Sequence, residues 1–396
     1  MKAIDAVVIG GGPAGATAAF VLARAGFEVA VVEKASYPRP KVCGEFISAT
    51  TWPLLHEMGV ASRLDELAGP PVRRVGLFAG DVVVDAPMPA PGAGEAWGRA
   101  VGREHLDTAL LEAAAQAGAK VFQPWSALAV EEDAAACRVT FGDRDGRTQS
   151  IEARAVVAAH GSWEPGSLPS HPAPHRHAAS DLLGFKAHFT GTHLAPGLMP
   201  LVLFPGGYGG MVQADGGRTS FSCCVRRDAL GRCRRAHRGL AAGEALLLHI
   251  AESCRGVREA LAGARREAAW LSAGPIRPGV RMLARGRVFS AGNLAGEAHP
   301  LVAEGISMAI QSGWLAARAL ATGELTAAGL AAARARYARE WRGHFENRVR
   351  ASSLFALLTT SRATAAASVA AMGGVPAILT WGARASGKAH SLAQLA

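Results

Sequence analysis

The chain opens with an apolar run, residues 4–9, that stops at Gly10-Gly11-Gly12 and gives way to small residues with helical spacing over 13–25. A second apolar run over 28–32 ends at Glu33. Short apolar runs bounded by glycine fit buried parallel strands, and the segment between them fits a crossover helix, so a βαβ unit is predicted. A Pro-rich, charged loop over 36–51 and a helix over 52–67 follow. Residues 72–78 and 82–85, around Ala79-Gly80-Asp81, read as a β-hairpin, and the Pro/Gly stretch 87–94 as a crossing between domains. Apolar positions at Leu106, Ala109, Leu110, Ala113 and Ala114 predict a helix over 104–118, followed by strands at 121–122, 130–141 and 151–159. Residues 181–225 alternate polar and apolar positions between Gly-rich turns, the pattern of an antiparallel sheet. Helices at 240–254 and 257–269, a short strand at 288–291, a second Gly-rich turn at 292–296 and a helix-rich region from 305 to 358 complete the reading.

This pattern predicts an α/β protein. A Rossmann-like nucleotide domain of ββα type is assembled from residues 1–70, 99–180 and 281–350, an antiparallel β-sheet substrate domain from 71–98 and 181–280, and a helical C-terminal segment from 351–396. The opening glycines have separate tasks in such a domain. Gly10 permits the tight turn, Gly12 lets the backbone approach a pyrophosphate, and Gly15 lets the helix pack on the strand. Pro13 and Ala14 begin a helix whose N-terminus attracts the anion, and Glu33 is positioned to accept hydrogen bonds from a ribose.

Composition adds less. The 396 residues are 49% hydrophobic, enough for a large core divided into two or three units. The six cysteines show no C-x-x-C pair, so reduced thiols and a cytoplasmic location are expected, with neither a zinc site nor a disulfide framework. The region around Lys2 is too weakly charged for a signal peptide. Of the net charge of +10, much gathers at Arg226, Arg227, Arg232, Arg234, Arg235 and Arg238, a solvated loop or a face for an acidic carrier. No aromatic interleaving accompanies it, so nucleic acid is not an expected partner. No charge falls between Arg362 and Arg384, but Gly373, Gly374 and Pro376 interrupt that stretch. A pair of terminal helices is expected there, with Ile378, Leu379 and Trp381 offering a peripheral membrane contact.

Two later segments carry a family resemblance. Arg103, with Leu106-Asp107 and Leu110, resembles the R-x-x-L-D-x-x-L segment of flavoprotein monooxygenases and reductases. Gly292-Asn293 with Pro300, Gly305 and Ile306 is similar to their second flavin motif, with Asn293 where aspartate is usual. The chain is thereby identified as a member of the FAD-dependent superfamily that includes para-hydroxybenzoate hydroxylase and geranylgeranyl reductases. The loop from Pro38 to Phe46, with Lys41, Cys43, Gly44 and Glu45, and the Phe204-Pro205-Gly206-Gly207-Tyr208 turn look most like the geranylgeranyl-reductase branch.

The resemblance implies resident FAD, held by Gly10, Gly12, Pro13, Ala14, Gly15, Glu33, Lys34, Lys41, Cys43, Gly44, Arg103, Gly161, Gly292, Asn293, Pro300, Gly305 and Ile306. It implies Cys43 and His299 as candidate catalytic groups, and Glu45, Phe204 and Tyr208 as substrate contacts. NAD(P)H or a partner reductase would supply electrons transiently, since no second dinucleotide fingerprint occurs. The expected reaction is hydride transfer through flavin N5 on an apolar or carrier-bound substrate. The alternative is a monooxygenase acting through a flavin hydroperoxide, against which His160 stands where hydroxylases carry aspartate. No W-x-W-x-I-P strand of tryptophan halogenases is present. His171, His175 and His177 lack the periodicity to converge on a metal.

Overall fold

In the computed structural model the chain is described over residues 3–92, 96–162, 166, 168–171, 176–361 and 363–388. Its frame is two eight-stranded sheets. In the first, Ile4–Ile9 lies between Val29–Val32 and Thr148–Ala158, with Lys120–Phe122 and Val288–Ser290 outside them, all parallel. Strands Ser126–Glu132 and Cys137–Gly142 form an antiparallel flap continuing from Thr148–Ala158. The flap replaces the single strand expected over 130–141, because the chain turns at Asp133, whose carboxylate accepts from the N–H groups of Ala135 and Ala136.

The helix Pro13–Arg24 covers this sheet, and its small residues explain how closely it packs. A Cβ at Gly15 would fall 1.8 Å from the Gly10 carbonyl oxygen, and one at Gly313 would fall 2.1 Å from the Ala14 carbonyl oxygen. The helix therefore lies directly against both the opening turn and the helix Gly305–Ala321. Outside it, the helix Arg103–Gln116 buries Leu106, Leu110 and Ala114. The helix expected over 52–67 is two, Trp52–Glu57 and Ala61–Leu67, divided at Gly59, whose φ of +72° ends the first.

The second sheet holds the hairpin Arg74–Ala79 and Val82–Pro87 together with Leu182–Thr190, Leu198–Phe204, Gly207–Gln213 and Thr219–Arg226. It is not purely antiparallel. Leu198–Phe204 pairs in parallel with Arg74–Ala79, because the hairpin enters from a distant part of the chain rather than through a tight turn. The helix expected over 257–269 stops at Ala260, and Leu271–Ile276 adds an unforeseen strand to this sheet. The arginine-rich segment is a helix, Arg227–Ala236, rather than a loop. Arg226 and Arg232 pair with Asp228, and Arg227 with Asp181, while Arg234, Arg235 and Arg238 are exposed.

The described residues finish with helices Asn347–Thr360, Ala365–Gly374 and Ala377–Ala383 and a wide turn to Lys388. Among the described residues no single helix is long and apolar enough to cross a membrane.

Candidate functional site

One cavity of about 880 Å³ runs from the opening glycine turn, between the sheets, to the C-terminal helices. At its first end the turn follows β-strand geometry into Gly10, whose φ of +101° is closed to other residues at that spot because a Cβ would meet the Ala159 carbonyl. Gly12 is different: it is extended, and a Cβ there would meet no atom within 4 Å. It borders an open cradle at the N-terminus of Pro13–Arg24, a helix without a side-chain cap. Glu33 is buried there, accepting from the N–H groups of Gly11 (2.7 Å) and Ala35 (2.8 Å), one per carboxylate oxygen. Each oxygen keeps a lone pair for a ribose hydroxyl.

Three cations face the cavity beside this cradle. Arg103, 5% exposed, is held by two bonds to Asp107 (2.6 and 2.7 Å). Burial opposes its charge, and the Asp107 carboxylate more than compensates, so the guanidinium stays protonated. Arg39 keeps a buried Nε with no hydrogen-bond partner, and burial together with the charges of Arg103 and Arg39 pulls the Lys41 ammonium down to about 8. An open cradle at an uncapped helix N-terminus, walled by cations, fits a pyrophosphate.

The second glycine turn lines the same cavity. Gly292 (φ +61°) donates its N–H to Ser312 Oγ (3.1 Å), and the Asn293 carbonyl accepts from Arg281. Pro300, Gly305 and Ile306 line it too, at the start of the uncapped, seventeen-residue helix Gly305–Ala321, whose first turn carries no acid. The positive end of that dipole points into the cavity, a site for an anionic or electron-rich ring. Ala303, in the left-handed region at φ +52°, makes the turn into it. The preceding Glu304 is buried and paired with Lys388 (2.7 Å) from the end of the chain.

Of the residues expected to hold the cofactor, all but Gly15 line the cavity; Gly15 is the packing contact below it. Cys43 and Glu45 line it as well. The Cys43 sulfur lies beside the Arg103 guanidinium and accepts the Glu45 N–H at 3.4 Å. Tyr208 borders it from the second sheet. Two expectations need correction. His299 does not face this cavity: it opens on a smaller one of about 250 Å³, separated by the Tyr208 ring, whose centroid is 4.9 Å away. Pro300 turns the chain there, and burial pushes the His299 imidazole down to about 4. Phe204 packs in the core of the second domain against His249, on the strand face opposite the cavity-lining Leu201 neighbourhood.

Glu45 has partners that its sequence neighbourhood does not reveal. It adopts φ +63°, rare for a residue with a side chain, and its buried carboxylate contacts Lys186 Nζ, His188 Nε2 (2.7 Å) and the Arg103 N–H (3.3 Å). Burial alone would raise this carboxyl, but the His188 hydrogen bond and the Lys186 charge hold it at about 2. Lys186 and His188 share one face of Leu182–Thr190, the face turned toward the cofactor domain. A lysine at an inward position of an alternating strand was the available signal.

His160 lines the cavity near Lys34, its ring 4.5 Å from His171 and its Nε2 2.8 Å from Ser170 Oγ; burial and His171 lower it to about 3. His171 accepts the Leu168 N–H, and His177 contacts Arg227, while His175 lies outside the described residues. Glu104, His105 and Asp215 also converge, but the Arg218 guanidinium already bridges the two carboxylates.

A doubly glycine-turned parallel sheet with an anion cradle at one helix and an uncapped helix end at the other is the geometry of a dinucleotide-binding domain. Residues 3–167 match the FAD binding domain family, so this part of the chain is an FAD-binding domain. The chain is 34% identical over 161 residues to menaquinone reductase of Mycobacterium tuberculosis, a match covering 41% of this chain and 38% of that protein. In fold it is similar to a geranylgeranyl bacteriochlorophyll reductase-like protein of Thermoplasma acidophilum (TM-score 0.71, 17% identity, 100% of this chain and 94% of the other). It is equally similar to the myxobacterial chondrochloren halogenase CndH (TM-score 0.73, 21% identity, 91% and 82%).

Proposed function

We propose that the protein is an FAD-dependent reductase of an unsaturated, apolar substrate of polyprenyl or prenylated-quinone type. The observation that carries this reading is the wall of the cavity away from Glu33. There Leu201, Met211 and Ile276 from the second sheet, Leu301 from the turn Pro300–Val302, and Phe355 and Leu379 from the terminal helices converge. Such a surface binds hydrocarbon by burial alone, at roughly 25 cal/mol per Å². The 34% identity to menaquinone reductase over 161 residues, 41% of the chain, supports it.

FAD, when bound, supplies the two-electron carrier that delivers hydride to one carbon of a double bond. The residues that would hold it are Gly12 with the start of Pro13–Arg24, Glu33, Arg39, Lys41, Arg103, Gly292 and the N-terminus of Gly305–Ala321. The other carbon needs a proton, which in this reading comes from the Cys43 thiol. The thiolate left behind lies beside Arg103, where a guanidinium stabilises it until solvent restores the proton. Cys224 also lines the cavity, but burial pushes its thiol up to about 12, which makes it a poor donor. Glu45, fixed as a carboxylate by Lys186 and His188, positions the loop that carries Cys43. Electrons would come from NAD(P)H or a partner reductase in transient contact.

The test is anaerobic. Flavin-loaded protein is reduced with dithionite and mixed with a detergent-solubilised polyprenyl quinone or geranylgeranyl compound. Reoxidation of the flavin should accelerate with substrate concentration, with a product two mass units heavier or a quinol. Reoxidation by oxygen alone, with substrate modified only in its presence, would overturn the reductase reading in favour of oxygen chemistry.

A further inference from the structure

The terminal helices turn large apolar side chains outward as well as inward. In Asn347–Thr360 Val349, Ser352, Ala356 and Thr359 are buried, whereas Leu354, Leu357 and Leu358 face outward, 58%, 63% and 40% exposed. A helix bordered by water on its free side carries polar residues there. Val375 (55% exposed) and Trp381 (70%) extend the apolar surface across the two following helices, and alanines occupy most of the exposed positions between them. Five of the ten large apolar side chains exposed among the described residues fall in this short stretch; the others are scattered. Clustering of this kind marks an interaction surface.

Two further observations identify what covers it. The chain carries no Asp or Glu beyond Glu346, while Arg348, Arg350, Arg362, Arg384 and Lys388 follow. Of these, Arg350 and Arg384 are exposed, Arg350 paired with Glu346, whereas Lys388 is buried against Glu304. With no acid beyond Glu346, the surface is apolar with a positive margin, the complement of an anionic lipid headgroup layer over an acyl phase. The same surface is also continuous with the cavity, because Leu354, Leu358 and Trp381 line it as well as facing outward. Among the described residues no single helix is long and apolar enough to span a bilayer.

We propose that residues 354–381 dock this protein on an anionic bilayer surface, with the cavity mouth opening into the acyl phase. The docking stands on the surface alone; only the further point, that substrate enters the cavity from the bilayer, rests on the reductase reading.

The test uses the full-length, flavin-loaded protein and floats it with vesicles of phosphatidylcholine, with or without phosphatidylglycerol. Binding is expected with phosphatidylglycerol, together with quenching of tryptophan emission by brominated acyl chains, and a Trp381→Phe variant should lose most of that quenching. Leu357→Asp with Val375→Asp should lower vesicle partitioning at least tenfold. Both positions are exposed and neither lines the main cavity, so the variant should keep the wild-type circular dichroism and flavin content. Absence of vesicle binding, or full binding by the aspartate variant, would overturn the proposal. So would binding that salt alone abolishes without any quenching, or a face that captures a soluble acidic carrier protein and leaves vesicles unbound. A parallel assay separates the two readings. If the reductase reading holds, the aspartate variant turns over detergent-solubilised substrate like wild type but vesicle-embedded substrate at least tenfold more slowly. If no substrate is reduced in detergent, the reductase reading fails while flotation still decides the docking.

Discussion

Gly12 and Gly15 lie three residues apart in one motif, yet the structure assigns them different physics, and paired substitutions separate the two. At Gly15 a methyl would fall 1.8 Å from the Gly10 carbonyl oxygen and 3.1 Å from Val8 Cγ1. The helix would have to lift by more than an ångström from a turn anchored by the Gly10 N–H to Val32 (2.8 Å). Gly15→Ala therefore costs about 3 kcal/mol, the upper part of the overpacking range. At Gly12 the backbone (φ −70°, ψ −176°) suits alanine and no atom lies within 4 Å. Weaker N-capping and a less flexible unfolded chain oppose each other, so Gly12→Ala shifts stability by less than about 1 kcal/mol. Its methyl instead fills the cradle. FAD affinity should fall about tenfold to a hundredfold, which is about 1.4–2.8 kcal/mol. Urea unfolding of the apoproteins measures the first effect, and FAD titration by fluorescence quenching measures the second. A Gly12→Ala protein that binds FAD within twofold of wild type would refute the assignment of the cradle, as would a Gly15→Ala protein of unchanged stability.

Three further outcomes follow from buried charge. Lys186→Met leaves the Glu45 carboxylate short of its cation and should destabilise the fold by about 3–5 kcal/mol, most of it regained with Glu45→Gln in the same chain; equal loss in both variants counts against the pair. His299 is held neutral down to about pH 4, whereas in the unfolded chain it takes up a proton near pH 6.5. Its contribution is thus complete above pH 6.5 and declines as pH falls toward 4, by ~3 kcal/mol in all, and His299→Gln should remove that part of the slope in urea midpoints measured across this window. Lys388→Ala leaves the Glu304 carboxylate buried without its ammonium and frees the Val302 carbonyl, so proteolysis within residues 361–388 should accelerate at least tenfold while the remainder stays protected.

The cofactor domain was legible because its signals are local. Strand, glycine turn, helix and acid follow one another within a few tens of residues, and Gly10 and Gly15 each answer to a nearby backbone clash. The resemblance of Arg103 and of the Gly292–Gly305 region added a cofactor, and those residues do gather on one cavity. Helix ends were less legible. The turn capped by the Asp133 carboxylate and the positive φ of Gly59 each divided an element that apolar spacing alone had run together. His299 and Phe204 sit beside cavity-lining neighbours, and one residue's rotation along a turn or strand was enough to aim them elsewhere.

By itself the sequence determined a glycine-bounded parallel fold and its anion cradle, since those depend on backbone conformation and period over short spans. Only the tertiary structure decided what meets Glu45 and what walls the substrate end of the cavity. Lys186 is 141 residues from Glu45, and Lys388 is 84 from Glu304. Such pairings are set by how two sheets and a terminal helical segment pack, and no local pattern encodes that packing.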